Sequence, residues 1–411
     1  MERATRFTRR DCLARIAGGL GLACFPALAS PPPGRIKITG FDIHKVSLRW
    51  RDLLFVEVKT DAGLTGLGEG TLEGREDAVE TSLRWLEESY VGKDPSGIEE
   101  HWNRSYYRLS RWRNGPPAMT ALSALDMALW DIEGKRLGLP VSRLLQGPLQ
   151  PRMRVYYTHW NASLQDDRTP EHFARWARET RQRGWTAVKW SMPMMGTEKE
   201  RIVKLSREME AVRGAVGDTM DLALEASETF TVRTAIEMAQ AIAPYKPLWI
   251  EEPTLRESAR GLGEVAAKSP VAIATGEGLF NRFEFNELLE HKGAAIIQPD
   301  VMHAGGITEI RKIANLAETF GVEVAPHQCS GPIAHLASLN AMSVCRNFLV
   351  HEWEAADDDL YKEMTDGKYP VQKDGMVTLP EGPGLGIGVN FTEFKKRCPY
   401  KPRYLPSSLP V

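Results

Sequence analysis

Three glutamates follow apolar stretches of the chain at a regular spacing. Glu225, Glu251 and Glu277 each end such a stretch, and the interval is 26 residues both from 225 to 251 and from 251 to 277. This interval is the length of one strand-plus-helix unit, so in a βα barrel the three carboxylates would meet at one rim. Converging carboxylates repel one another unless a cation binds them, and three oxygen ligands with room for water and substrate suit Mg²⁺. The spacing therefore predicts a Mg²⁺ site.

Further acid–base groups follow neighbouring apolar runs. Asp300 and His327 are separated by 27 residues (300 to 327), again one barrel unit. An Asp beside a His fixes its tautomer and raises its basicity, which gives a general base able to work near neutral pH. Lys189 ends the second predicted strand, and Glu352 ends the eighth. Any one of these residues alone is more often a helix cap, an ion pair or a structural histidine, but together they predict a catalytic site.

Residues 151–355 carry the pattern that would position these groups. Short apolar runs alternate there with segments of helical periodicity, such as 170–183 and 307–320. The predicted strands are 155–158, 187–190, 220–226, 248–253, 271–278, 295–299, 322–325 and 348–350. Eight strands alternating with helices predict the α/β class and a (β/α)7β-type TIM barrel, whose reactive groups lie at the carboxyl ends of the strands.

The segments on either side of the barrel follow other patterns. Residues 30–150 begin with alternating polar and apolar residues and continue with helical periodicity at 78–90, 98–108 and 117–137, which predicts an α+β domain. Residues 356–411 form a C-terminal segment, and its glycine-rich loop is predicted to fold back on this first domain.

The first 29 residues are predicted to be a twin-arginine signal peptide and not part of the fold. Arg9 and Arg10 precede a Gly/Ala/Leu-rich run at 16–28, which ends in a small-residue cleavage pattern. The alternatives are a frayed basic terminus or a membrane anchor, although the run is too short to span a bilayer comfortably. The signal predicts export to the periplasm, with no membrane span in the mature chain.

Composition and cysteine usage narrow the function classes. The 411-residue chain has a formal net charge of −2 and 42% hydrophobic residues, which favours a soluble enzyme with a small-molecule substrate over a nucleic-acid-binding protein. Two of its five cysteines, Cys12 and Cys24, lie in the signal, and the other three match no zinc pattern. Of these, Cys329 lies two residues after His327, so a thiol nucleophile is an alternative to a small buried hydrophobic residue.

These motifs together resemble the enolase superfamily, in its mandelate racemase/muconate lactonizing enzyme group, and most of all the D-galactonate dehydratase branch. The resemblance extends from about residue 36 to residue 390. It rests on WRNGP at 112–116, ALDMALWDI at 124–132, WIEEP at 249–253, QPD at 298–300, HAGGITE at 303–309, APH at 325–327 and GPIA at 331–334. It implies that residues 30–150 form a capping domain and that the enzyme is a homo-oligomer.

The resemblance also assigns roles to the site residues. It implies that the three glutamates bind Mg²⁺ and that His327 with Asp300 removes the α-proton of a carboxylate substrate. It also implies that Glu352 steadies either the resulting enediolate or the substrate carboxylate. Loss of a β-hydroxyl would then give a 2-keto-3-deoxy acid. The function predicted is a Mg²⁺-dependent dehydratase (a carbon–oxygen lyase) acting on an aldonate-type acid sugar. The alternatives are an epimerase, racemase or cycloisomerase, or a catalytically silent acid-sugar-binding protein.

Two departures from the family pattern bear on the reaction. Mandelate racemase-like enzymes carry a Lys-x-Lys pair on the second strand, and here Ser191 takes the place of the second lysine. D-galactonate dehydratases carry a His where Ser227 stands, which leaves the acid for the departing hydroxyl open between Lys189 and His327. Specificity is predicted to lie around residues 49–51 and 108–113 of the capping domain, unless these form a solvated basic surface.

Overall fold

The computed structural model describes residues 36–109, 111, 113–160 and 168–403. The signal predicted at residues 1–29, including Cys12 and Cys24, lies outside the described residues, and so does Trp112 of the N-terminal motif. Within the described ranges, no helix is both long enough and apolar enough to cross a membrane.

An antiparallel sheet and a group of helices form the N-terminal part of the described chain. The strands are β1 (Ile38–Ser47), β2 (Asp52–Thr60) and β3 (Thr65–Glu69), paired in sequence order. The helices are α1 (Glu76–Tyr90), α2 (Ile98–Arg108), α3 (Pro116–Leu137) and α4 (Val141–Leu144). The three helices predicted from periodicity agree with α1, α2 and α3 to within two residues. Proline starts α3, and Gly138 ends it with φ of 68°.

Helix α3 lies directly on the sheet, at a distance that only glycine permits. A Cβ on Gly66 would come within 2.0 Å of the Ala128 carbonyl oxygen, and one on Gly68 within 1.9 Å of the Ala124 carbonyl oxygen. These positions must therefore be glycine for the strand backbone to touch the helix. The contact fixes the sheet against the helix, whose other side packs on the barrel.

The rest of the chain is an eight-stranded parallel barrel with a helix between each pair of successive strands. The strands are β4 (Arg152–Tyr157), β5 (Ala187–Ser191), β6 (Asp221–Glu225), β7 (Trp249–Glu251), β8 (Ile273–Thr275), β9 (Ile296–Ile297), β10 (Glu323–Val324) and β11 (His351–Trp353). The helices are α5 (Pro170–Gln182), α6 (Glu198–Val216), α7 (Val232–Ile242), α8 (Ala259–Lys268), α9 (Arg282–Glu290), α10 (Gly306–Thr319) and α11 (Pro332–Met342). Short 3₁₀ helices cover Gly217–Thr219, Ala243–Tyr245 and Ala355–Asp357. The predicted (β/α)7β TIM barrel with an N-terminal α+β domain is confirmed.

The eighth strand differs from its predicted position. Residues 348–350 were predicted to form it, but β11 begins at His351 and pairs with β4. Phe348 instead forms a parallel bridge with Val324 of β10, and the Leu349 N–H donates to the Val324 carbonyl at 2.9 Å. The segment thus changes partner from β10 to β4 within a few residues, which closes the barrel and displaces the regular strand toward Glu352.

A layer of side chains fills the barrel below the site. Its buried members are Tyr156, Ala187, Ala223, Trp249, Ala274, Ile296, Ala325 and Val350. The Tyr156 and Trp249 rings meet at a centroid distance of 5.3 Å, and the small residues make room for them. Because strand side chains alternate, the residue two positions further on most strands faces the same interior at the barrel mouth. This register places Lys189, Glu225 and Glu251 above the layer.

The C-terminal segment contacts both parts of the fold. Strand β12 (Met376–Thr378) pairs antiparallel with β4, and α12 (Asp358–Met364) and α13 (Phe391–Arg397) follow in the rest of the described chain. Phe391 of α13 stacks on His44 of β1 at a ring distance of 4.0 Å and lies against Phe55 of β2. Residues 404–411 lie outside the description.

A buried carboxylate joins the N-terminal sheet to the barrel. Glu69, at the end of β3, accepts hydrogen bonds from the Gly331 N–H at 2.6 Å and the Ala334 N–H at 3.0 Å, at the start of α11. The Thr71 hydroxyl donates to it at 3.1 Å. Burial raises the pKa of Glu69 to about 7, although these donors favour the charged form. The strength of this contact between the N-terminal sheet and the barrel therefore depends on the protonation state of Glu69.

Replacing Glu69 by glutamine is expected to flatten the pH dependence of stability. Between the ordinary carboxyl pKa of 4.5 and about 7, the folded wild type binds more protons than the unfolded chain, so its free energy of unfolding falls as pH rises. The contribution amounts to up to about 3 kcal/mol across that window. Urea unfolding at pH 5 and pH 8 measures it. If the free energy of unfolding depended on pH equally in the wild type and in Glu69→Gln, the raised pKa assigned to Glu69 would be contradicted.

Candidate active site

The three regularly spaced glutamates meet at the carboxyl ends of β6, β7 and β8. One carboxylate oxygen of each lies within 4.8 Å of the others. Burial, followed by the charges of Glu251 and Glu277, raises the pKa of Glu225 well above its ordinary value. The Glu225 Oε2 atom is buried without a hydrogen-bond partner, as expected of an oxygen that binds a cation. The donor set and the unpartnered oxygen fit a hard divalent ion such as Mg²⁺.

Hydrogen bonds hold Glu251 in place at the centre of this group. Its Oε2 accepts from the Trp249 indole at 3.0 Å and from the Gln298 amide at 2.6 Å. Its Oε1 contacts the Lys189 ammonium. Glu251 is fully buried, and these three contacts hold its carboxylate.

Lys189, in the middle of β5, bridges two carboxylates. Its Nζ contacts Glu251 and lies 2.9 Å from Glu352 Oε1. Burial by itself lowers the pKa of Lys189, but Glu251 and Glu352 raise it well above its ordinary value. The side chain is therefore a fixed ammonium, which suits charge stabilisation and makes it a poor proton donor or acceptor.

The predicted His–Asp dyad is formed. His327 Nδ1 lies 2.7 Å from Asp300 Oδ2, and the other oxygen of Asp300 accepts from the Met302 N–H at 2.6 Å. An ionised carboxylate only accepts hydrogen bonds, so it holds a proton on Nδ1 and leaves Nε2 facing the cavity. Burial by itself raises the pKa of Asp300, but His303 and His327 lower it, which keeps the carboxylate charged.

The free nitrogen of His327 points toward the carboxylate cluster. Nε2 lies 3.5 Å from Glu277 Oε2 and 3.8 Å from Glu352 Oε2. Burial by itself lowers the pKa of His327, but Glu277 and Glu352 raise it well above its ordinary value. Glu352 also accepts from the Gln328 N–H at 2.8 Å. The His327 imidazole and the carboxylate cluster therefore face the same small space.

Cys329 and His303 border this space in other roles. Cys329 Sγ lies 3.6 Å from His327 Nε2, and burial raises the pKa of its thiol to about 11. It is thus a protonated thiol, which does not suit the nucleophile alternative. His303 follows β9 in a turn and lines the cavity, with Nδ1 3.0 Å from the Thr120 hydroxyl.

A cavity of about 540 Å³ covers the site, between the barrel mouth and the N-terminal domain. Trp50 and residues 71–73 supply its N-terminal wall. The predicted specificity segment 49–51 therefore contributes through Trp50. Arg51, by contrast, is buried and donates to Asp357 at 3.0 Å. It therefore has a structural role and does not line the cavity. Arg113 lies against tyrosine rings and, like Arg108, does not line the cavity.

The sequence patterns missed several cavity residues. His159, after β4, and the ion pair between Glu228 and Arg256, at 2.9 Å, line the wall beside the predicted groups. The strand-end rule that selected Lys189 would also have selected His159, two residues past the end of its strand. Arg256 lies in a loop and carries no such signal.

The fold and the site together define a class. A TIM barrel with a hydrogen-bonded His–Asp pair and a carboxylate cluster at the carboxyl ends of its strands is typical of enzymes. Residues 36–146 match the N-terminal domain model of mandelate racemase and muconate lactonizing enzyme, and residues 172–393 match the enolase C-terminal domain-like model. The chain therefore belongs to the mandelate racemase/muconate lactonizing enzyme family of the enolase superfamily.

Individual relatives agree with this assignment. The chain is 37% identical over 385 residues to a D-galactonate dehydratase of Xanthomonas axonopodis pv. citri, covering 89% of this chain and 95% of the relative. It is 35% identical over 367 residues to one of Ralstonia nicotianae, covering 86% and 92%. The crystal structure of a family member from Jannaschia sp. CCS1 superposes with a TM-score of 0.83 at 34% identity, covering 89% and 99%. The predicted resemblance, and the prediction of a hydro-lyase of this superfamily, are confirmed.

Proposed function

We propose that this protein is a Mg²⁺-dependent dehydratase that converts an aldonate-type acid sugar to a 2-keto-3-deoxy acid. The observation that carries the proposal is the position of His327 Nε2, held by Asp300 and 3.5 Å from Glu277 of the carboxylate cluster. The relatives named D-galactonate dehydratase support the same reaction class and a galactonate-like substrate.

Each polar group has a part in this reaction. A Mg²⁺ ion bound by Glu225, Glu251 and Glu277 would supply charge stabilisation to the substrate carboxylate as the α-proton leaves. His327 removes that proton through Nε2, and Asp300 stabilises the imidazolium that forms. Lys189 provides a fixed positive charge for the enediolate oxygens. Glu352 holds Lys189 in place and lies within 4 Å of the base.

Epimerisation and racemisation fit this site less well than dehydration. A second base on the opposite face is needed, and the chain has Ser191 at the position of the second lysine. Lys189 is engaged by two carboxylates. A silent binding protein would have no use for an Asp-oriented imidazole aimed at a carboxylate cluster.

The cellular setting remains part of the proposal. The twin-arginine pattern in residues 1–29 supports export to the periplasm, and twin-arginine export carries folded proteins, which suits an enzyme loaded with its metal in the cytoplasm. Family analogy supports a homo-oligomer.

Incubation with a panel of aldonates tests the function. D-galactonate and its epimers at single carbons, supplied with MgCl₂, are expected to release a 2-keto-3-deoxy acid that colorimetric 2-keto acid assays detect. Exhaustive removal of divalent cations should abolish turnover, and Mg²⁺ should restore it. Turnover that survives metal removal, or a panel converted only to epimers, would overturn the proposal.

A further inference from the structure

A second histidine–carboxylate pair lies beside the cavity, apart from the dyad of His327, and its histidine, His159, lines the wall. His159 Nδ1 lies 2.9 Å from Glu354 Oε2. The two residues follow the neighbouring strands β4 and β11, which stay paired up to this point because the Thr158 N–H donates to the Trp353 carbonyl at 3.1 Å. Paired strand ends thus bring together residues 195 positions apart.

Neighbouring groups fix the orientation of this imidazole. The Glu354 side chain is only 1% exposed, and its second oxygen accepts from the Ala356 N–H at 3.0 Å. An ionised carboxylate accepts from Nδ1–H and leaves Nε2 for a ligand in the cavity. The Trp50 ring meets the imidazole edge-on at 5.2 Å. His159 is itself 37% exposed, so substrate and solvent protons can reach it.

Four other cavity-lining residues, Lys189, Cys329, His303 and Ser227, are poorly suited to protonate a departing hydroxyl. Lys189 is engaged by two carboxylates, and Cys329 has a thiol pKa of about 11. The two ring nitrogens of His303 face Thr120 and Asp300, at 3.0 and 3.9 Å. Ser227 offers only a hydroxyl, which is too weak an acid near neutral pH. Among the cavity-lining histidines of the described chain, this leaves His159 and His327 itself.

We propose that His159, oriented by Glu354, is the general acid that protonates the departing β-hydroxyl group. The inference rests on the proposed dehydratase function. In this proposal His327 removes the α-proton and His159 protonates the departing hydroxyl. His327 therefore does not have to return the proton that it has just removed.

The step balances in protons and electrons. His327 Nε2 takes the α-proton, and the C–H electron pair passes into the enediolate. That pair then forms the C2=C3 double bond while the C3–O bond breaks. The hydroxyl leaves as water with the proton from His159 Nε2. The enol becomes the 2-keto acid by taking a proton from solvent at C3 and releasing the proton of its C2 hydroxyl to solvent. Solvent also reprotonates His159 and deprotonates His327.

The test separates protonation of the hydroxyl from abstraction of the α-proton. In His159→Gln, 2-keto acid formation is expected to fall about 10²–10³-fold, the range lost with a general acid. Exchange of the substrate α-proton in D₂O, read by NMR, should persist at close to the wild-type rate, because His327 and the carboxylate cluster are untouched. The exposed His291 on the barrel exterior gives the matched control, His291→Gln.

Glu354→Gln tests orientation without the loss of an imidazole. The glutamine amide retains an oxygen that can accept from the Ala356 N–H. It removes the negative charge that faces His159 Nδ1 in the wild type. We expect a kcat reduction of about tenfold with KM nearly unchanged and α-proton exchange retained. If both variants keep full dehydration, or lose exchange and dehydration equally, His159 is not the acid. A wild type that releases no keto acid would overturn the dehydratase function itself, and this inference with it.

Discussion

Replacement of His327 by asparagine is expected to reduce dehydration by at least about 10³-fold, within the range typical of an essential general base. Asparagine preserves a donor toward Asp300, whose oxygen lies 2.7 Å from Nδ1 in the wild type, but it offers no basic nitrogen toward the substrate. The α-proton of a carboxylate is very weakly acidic, so its removal needs a base held against it. No other described group near the cluster is expected to take over this role from His327. Steady-state formation of 2-keto acid measures the loss.

A matched histidine serves as the control for this prediction. His291→Asn removes an exposed imidazole at the end of α9 and should leave kcat and the melting temperature unchanged. His327→Asn should also remain folded, with Mg²⁺ binding retained. If His327→Asn kept more than about a tenth of wild-type activity, a role as the base would be excluded.

The second large effect concerns the carboxylate cluster. Mg²⁺ at about 100 times its dissociation constant is expected to stabilise the wild type by about 2.7 kcal/mol. Glu225→Gln should lose both this stabilisation and activity, because a neutral amide replaces one of the three carboxylates that meet within 4.8 Å. Without metal, the variant should be at least as stable as the wild type, since repulsion between the carboxylates is relieved. Thermal unfolding with and without MgCl₂ measures both effects.

Glu237→Gln is the control for the loss of Mg²⁺-dependent stabilisation in Glu225→Gln. Glu237 pairs with Arg233 on the exposed side of α7, and its substitution should leave the Mg²⁺-dependent shift intact. A Glu225→Gln variant that is still stabilised by Mg²⁺ to the wild-type extent would show that the ion binds elsewhere.

Sequence alone predicted the barrel and the core of the site because both follow from periodicity. The 26-residue spacing of Glu225, Glu251 and Glu277 repeats once per strand–helix unit, and the structure brings these side chains together. The alternation of strand residues then sets their direction. His327 and Asp300 obey the same rule, so their contact also followed from the sequence.

The remaining features depend on contacts between distant segments. Lys189 was recognised as a strand-end residue, but its engagement by Glu251 and Glu352 depends on side-chain packing across the barrel. The pairing of His159 with Glu354 depends on the register of β4 with β11, which no local pattern specifies. The burial of Arg51 reflects its partner Asp357, more than 300 residues away.

Turnover in D₂O followed by NMR tests the central claim, that His327 abstracts the α-proton before the hydroxyl leaves. At early times, the 2-keto acid product should carry solvent deuterium at C3 and no hydrogen transferred from C2 of the substrate. The remaining substrate should show deuterium at C2 if the enediolate returns. Product that retains the original C2 hydrogen at C3 would indicate a hydride shift and contradict the mechanism proposed for this site.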